Sequence, residues 1–213
     1  VISVLLVVGG LLLGEGAWQW AMWFTRRYER EGAARTPWTR SRGLHGLTVF
    51  VVGAVAAYGA RAGWSWADVV ILLGSSVLLV TISLVDLCVR RIPNVMVIAL
   101  IGWGLIRSLV TGHPSIVGWG VGLLAGGGVF LLIALVGRGA MGPGDVKLAA
   151  ALGALVGYPA VWGMLLVGIL AGGIVTLVLL LLRRVGRKDY MAYGPYLAFG
   201  GWAILLLQCG WNL

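Results

Sequence analysis

The sequence predicts an all-α fold, one polytopic transmembrane helical bundle of about eight membrane helices with both termini outside. Three observations predict it. Of 213 residues, 60% are hydrophobic and 11% charged, whereas a soluble globular domain carries about a quarter charged residues. Mean hydropathy is +0.99. The apolar residues fall in runs near the roughly 20 that a helix needs to cross a bilayer. The 35 glycines suit helices that approach closely in lipid.

The expected spans are 2–24, 46–61, 67–88, 92–110, 116–137, 145–157, 159–182 and 195–211. The chain opens on Val, not Met, so an upstream start is expected. Its first apolar run lacks a basic leader region and a small-residue cleavage site, and reads as a span rather than a removable signal. The second, sixth and eighth spans are short. The second is free to extend into its flanks. The sixth cannot cross unaided, so it is bent, shielded by neighbours or merged into a hairpin. The polar loops 25–45 and 183–194 are too short for soluble domains. No repeat or coiled coil interrupts the single domain of residues 1–213.

The charges orient these spans. Arg26, Arg27, Arg30, Arg35, Arg40 and Arg42 fall in the first loop, Arg90 and Arg91 in the third, and Arg138 and Lys147 around the fifth. Arg183, Arg184, Arg187 and Lys188 fall in the seventh. Only Arg61 and Arg107 are left for the other side. Basic residues crowd cytoplasmic loops, so the odd-numbered loops are expected inside. The net charge of +9 then reflects orientation and contact with the lipid bilayer, and no nucleic acid partner is implied. Cys88 and Cys209 lie in separate apolar segments, with no Cys-x-x-Cys spacing, and imply neither metal nor disulfide. His45 and His113 fall on opposite sides and cannot share a site. Most of the tryptophans lie near span ends, as in an aromatic belt.

Seven acids remain. Glu29, Glu31 and Asp189 sit among loop arginines and lysines and read as solvated. Asp68 opens the third span, where an acid suits a helix N-terminus. Glu15 lies inside the first span. An embedded acid points to function by default, but Gln19 four residues on can satisfy it structurally.

Asp86 closes the third span in "ISLVDLCVRRIPN", and Asp145 opens the sixth in "MGPGDVK". The two spans run in opposite directions, so both carboxylates are expected at one depth, at the cytoplasmic edge. Two like charges in a half-dry site share a proton. Such a pair can take a proton from water while protonating a carbonyl oxygen, as aspartic proteases do. Gly142, Pro143 and Gly144 interrupt helix and leave room for an extended substrate. Equally, they form a tight turn with Asp145 capping a helix. Lys147 either acts on the charge of Asp145, meets a substrate carboxylate, or snorkels to the interface.

Three segments together resemble a known family. "DLCVRRIPN" (86–94), "MGPGDVKLAAALGALVG" (141–157) and "YGPYLAFGG" (193–201) are similar, in this order, to the motifs of the bacterial type IV prepilin peptidases. These are GxGD-type intramembrane aspartic proteases. The resemblance runs from about residue 75 onward. It implies that Asp86 and Asp145 are the catalytic pair, with Pro93, Gly142, Pro143, Gly144, Lys147, Gly194 and Pro195 shaping the site or meeting substrate. It further implies cleavage of the basic leader of prepilins or pseudopilins, after a glycine and before a hydrophobic helix, at the cytoplasmic face of the bacterial inner membrane. Larger members carry a zinc-binding insertion with two Cys-x-x-Cys pairs between the first two spans. Here that loop, "TRRYEREGAARTPWTRSRG", has no cysteine, so no zinc is expected. Larger members also N-methylate the product with S-adenosylmethionine. Nothing in these residues requires that, although a bifunctional peptidase/N-methyltransferase stays open.

Two rival functions compete. One is a proton-coupled transporter using the two aspartates as a relay, but such proteins carry polar residues near the midplane and often an internal repeat. The other is a non-catalytic assembly component, against which two intact aspartates argue. Oligomeric state is not legible.

Overall fold

A computed structural model describes residues 2–31, 42–62, 64–137, 141–183 and 192–211. Eight helices and no strand occur among the described residues: α1 (Ile2–Arg30), α2 (Arg42–Arg61), α3 (Trp66–Val89), α4 (Asn94–Thr111), α5 (Ile116–Val136), α6 (Pro143–Val156), α7 (Val161–Leu181) and α8 (Gly194–Trp211). Four of them, α3, α4, α5 and α7, are long and apolar enough to cross a membrane. The chain is a polytopic helical membrane bundle.

Each predicted span has its helix. The largest difference is at the first, where α1 runs on to Arg30 instead of stopping at 24. The extension is stabilised on its own surface. Arg27 pairs with Glu31 one turn on at 3.5 Å and lies over the Trp23 ring at 5.8 Å. α2 begins at Arg42 rather than 46, the flank extension its length called for. Arg35, Arg40, Arg138, Arg184, Arg187, Lys188 and Asp189, which entered the charge reading, lie outside the described residues, as does most of the cysteine-free loop.

Neighbouring helices run antiparallel. α1 meets α2 through Gly10, Gly14 and Gly53: a Cβ on Gly14 would stand 2.7 Å from the Val49 Cα. α5 and α6 approach most closely. A Cβ on Gly122 would stand 2.2 Å from the Gly153 carbonyl oxygen, and one on Gly126 would stand 2.3 Å from that of Ala149. In lipid, helix association rests on packing of this kind. The resulting core is made by Leu72, Ile82, Leu100, Phe130, Leu148 and Leu152, all buried.

α6 explains how a short helix survives in a bilayer. Its 14 residues span only about 21 Å, less than the roughly 30 Å of hydrocarbon. Neighbours shield it: every residue from Ala151 to Val156 is buried. Its last carbonyls have no intrahelical donors and find them elsewhere. Arg107 Nη1 of α4 donates to the Leu155 carbonyl at 2.6 Å, and Gln208 Nε2 of α8 donates to that of Val156 at 3.0 Å. Arg107, left for the outer side by the charge reading, is thus not a surface cation. It is 4% exposed and closes a helix end inside the bundle.

Two smaller expectations resolve locally. Asp68 sits in the first turn of α3, where its backbone N–H donates to the Ser65 hydroxyl oxygen at 3.2 Å and its Oδ2 accepts from that hydroxyl at 2.5 Å. Glu15 accepts from Gln19 at 3.3 Å as expected, but its shorter contact is His45 Nε2 of α2 at 2.6 Å.

Candidate active site

α3 ends where its sequence stops favouring helix. The Asp86 carbonyl accepts from the Arg90 N–H at 2.8 Å, and Arg90 turns left-handed with φ 53°. Pro93 then caps α4 with φ −64° and ψ 129°, an extended conformation in which it cannot prolong α3. These stops leave Asp86 in the last turn of α3. Its side chain is 4% exposed.

α6 starts on Gly142, with Pro143 at its first position, where a missing N–H costs nothing. That places Asp145 in the first turn, its N–H donating to the Gly142 carbonyl at 3.1 Å. A carboxylate is favoured at this positive helix end. Gly144 faces Ile92 of the α3–α4 turn, whose Cβ would stand 3.4 Å from a Cβ on the glycine. The two turns that carry the acids therefore pack together. Asp86 and Asp145 lie within electrostatic reach of each other.

α8 completes the group. The Gly194 N–H donates to Asp86 Oδ2 at 2.9 Å. A Cβ on Gly194 would stand 2.7 Å from that oxygen, so only glycine lets this backbone come so close. Tyr193, one residue earlier, was not singled out from sequence, although it opens the third motif. Its ring lies over Gly172 of α7, where a Cβ would stand 2.6 Å from it, and beside Phe130 of α5 with centroids 6.4 Å apart. Burial pushes its phenol above the usual value, and the Asp145 carboxylate adds to that. The segment Tyr193–Gly194 thus touches the surroundings of both acids.

Other expected residues take lesser places. Lys147 is exposed and donates to Asn94 Oδ1 at 3.2 Å, and it forms no ion pair with Asp145. Gly142 and Pro143 are exposed at the mouth. Pro195 lines an apolar groove of about 400 Å³ between α2, α3 and α8, with Leu44, Leu84, Leu87, Phe199 and Trp202. The groove begins one residue from Asp86 and one from Gly194. Its hydroxyls are already used: Ser83 bonds the Leu79 carbonyl and Thr48 that of Leu44.

No cluster of three or more His, Cys, Asp or Glu stands together among the described residues. Cys88 and Cys209 are buried in different helices, at opposite ends of the bundle.

The sequence that builds this site is similar to known proteins. Residues 73–177, which hold both acids and the turns between them, match the type IV leader peptidase family. A prepilin leader peptidase/N-methyltransferase of Aeromonas salmonicida is 31% identical over 195 residues, covering 89% of this chain and 64% of that protein. One of Neisseria gonorrhoeae is 36% identical, covering 74% of this chain and 54% of its own length. One of Pseudomonas aeruginosa is 35% identical, covering 60% and 46%. The chain spans less than two thirds of each. No solved structure matches it. With the three motifs now folded around one pair of acids, and relatives of one description aligned across most of the sequence, the chain belongs to the type IV leader peptidase family.

Proposed function

We propose that the chain is an intramembrane aspartic endopeptidase that removes the basic leader from type IV prepilins or pseudopilins. The observation that carries this reading is the placement of Asp86 and Asp145 on separate helices within electrostatic reach, with the Gly194 amide holding Asp86 Oδ2 at 2.9 Å. The pair shares a proton. The ionised carboxylate takes a proton from water as the water oxygen attacks the scissile carbonyl. The protonated one gives its proton to the carbonyl oxygen. The tetrahedral intermediate then collapses: the C–N bond breaks, the new amine leaves with the proton first taken from water, and a hydroxyl proton of the intermediate returns to the second aspartate. The substrate's hydrophobic helix lies in the groove between α2, α3 and α8, whose lining includes Leu87 and Pro195, the chain neighbours of Asp86 and Gly194. The reaction takes place at the cytoplasmic face of the bacterial inner membrane. No zinc takes part, and the product stays unmethylated.

The test is cleavage of a leader-bearing pilin-like substrate by purified protein, with S-adenosylmethionine present and the product weighed by mass spectrometry. Asp86→Asn and Asp145→Asn each lose at least about a hundredfold in turnover, because an amide cannot exchange the proton. Wild-type activity is bell-shaped in pH, with limbs that belong to the pair and to neither residue alone. Substantial cleavage by either Asn variant would end the dyad assignment, and a methyl increment on the product would make the protein bifunctional.

A further inference from the structure

At the opposite pole from Asp86, about 27 Å away along α3, a second polar cavity of about 300 Å³ opens between α3, α4 and α8. Arg107, Asp68, Ser65, Thr111, His113 and Gln208 line it. The guanidinium of Arg107 is buried, yet both its acceptors are neutral: the Leu155 carbonyl at 2.6 Å and Gln208 Oε1 at 3.0 Å. Among the described residues no carboxylate lies within ion-pair distance of it. Five N–H donors serve two bonds, and a buried cation without a counter-ion is expensive.

Asp68 lines the same cavity without forming an ion pair with Arg107. One Asp68 oxygen, Oδ2, is held by the Ser65 hydroxyl at 2.5 Å. The cavity therefore presents one positive and one negative group that do not meet. A ligand that neutralises both carries the two opposite charges itself. The surface around the opening is apolar and outward-facing: Trp66 is 59% exposed and Leu109 64%, and Val70 and Val110 are exposed too. A ligand with a charged head and hydrocarbon tails matches both features, and indole rings favour this interfacial level.

We propose that this cavity seats the headgroup of a zwitterionic phospholipid, with its phosphate on Arg107, its primary ammonium against Asp68, and its acyl chains along the apolar flank of α3 and α4. The occupant is distinct from any peptide substrate, and the cavity shares no residue with the acid pair.

Native mass spectrometry of the delipidated full chain tests this with three probes: lysophosphatidylethanolamine, lysophosphatidylglycerol and inorganic phosphate. The ethanolamine lipid is expected to bind one per chain, about tenfold or more tighter than the glycerol lipid, the worth of one charge-assisted contact. Asp68→Asn, which removes the charge and keeps a side-chain oxygen to accept from the Ser65 hydroxyl, is expected to abolish that preference. Val110→Trp alters an exposed side chain at the opening and is expected to weaken both lipids. Arg107 is left intact, because it also closes α6. Equal binding of the two lipids by wild type, a preference that survives Asp68→Asn, or undiminished binding of both lipids by Val110→Trp would overturn the proposal. Inorganic phosphate binding as tightly as the lipid would assign the cavity to a soluble anion and overturn it as well.

Discussion

Gly194 sets how close α8 can bring its backbone to Asp86. Its N–H reaches Asp86 Oδ2 at 2.9 Å, and a Cβ there would stand 2.7 Å from the same oxygen and 3.1 Å from the Asp86 Cγ. Gly194→Ala must therefore push the carboxylate away or lift the start of α8. A displacement near 1 Å at a reacting group can cost about a hundredfold in rate. The expected outcome is a loss of that order in turnover, with the helical circular dichroism unchanged. Retention of full activity would mean that the amide does not position Asp86. At this scale the acids themselves were legible, because an aspartate at the edge of an apolar run is rare and costly. The Gly194 contact was not: a backbone N–H has no signature beyond the glycine that permits its approach. Nor was the Glu15–His45 contact at 2.6 Å. It joins residues 30 apart, and only the α1–α2 hairpin brings them level.

α5 and α6 show what the glycines do. Three of them on one face of α5, Gly118, Gly122 and Gly126, are buried. A Cβ on Gly126 would stand 2.3 Å from the backbone oxygen of Ala149, whereas one on Gly128 would meet nothing within 4 Å. The same substitution two residues apart should therefore diverge. Gly126→Val is expected to cost about 1–3 kcal/mol by overpacking against backbone, to lower the melting temperature, and to reduce cleavage, because α6 carries Asp145. Gly128→Val should leave both near wild type. Similar melting of the two would show that the α5–α6 contact is not what holds α6 in place. The helices were readable to within a few residues at most ends, because charges, Pro93, Pro143 and Pro195 punctuate the apolar runs. Which glycines matter was not readable. Composition counts all 35 alike, and only the packing separates Gly126 from Gly128. The capping of α6 was hidden for the same reason: its donors, Arg107 and Gln208, come from helices distant in the chain.

Across the whole molecule the two poles differ in charge and in chemistry. The acid pair shares its pole with Arg26, Arg27, Arg30, Arg90, Arg91, Lys147 and Arg183, all at or near helix ends on that side. With Arg107 withdrawn into the bundle, Arg61 is the one cation that the sequence assigns to the opposite pole. An asymmetry this large makes the cytoplasm the expected side for the acid pair's pole, where an anionic leaflet attracts basic segments. The orientation can be read by cysteine labelling, because Cys88 and Cys209 are buried at 0% and 7% exposure and give little background. Tyr158 lies exposed in the turn between α6 and α7, at the pole away from Asp86, and Arg91 lies exposed in the α3–α4 turn, at the Asp86 pole. Tyr158→Cys is expected to react with a membrane-impermeant maleimide on intact spheroplasts. Arg91→Cys should react only after permeabilisation. The reverse pattern would turn the molecule over and put the acid pair outside the cell. A leader held in the cytoplasm could not then reach it, and the proposed peptidase reaction would fail on geometry even with both aspartates intact.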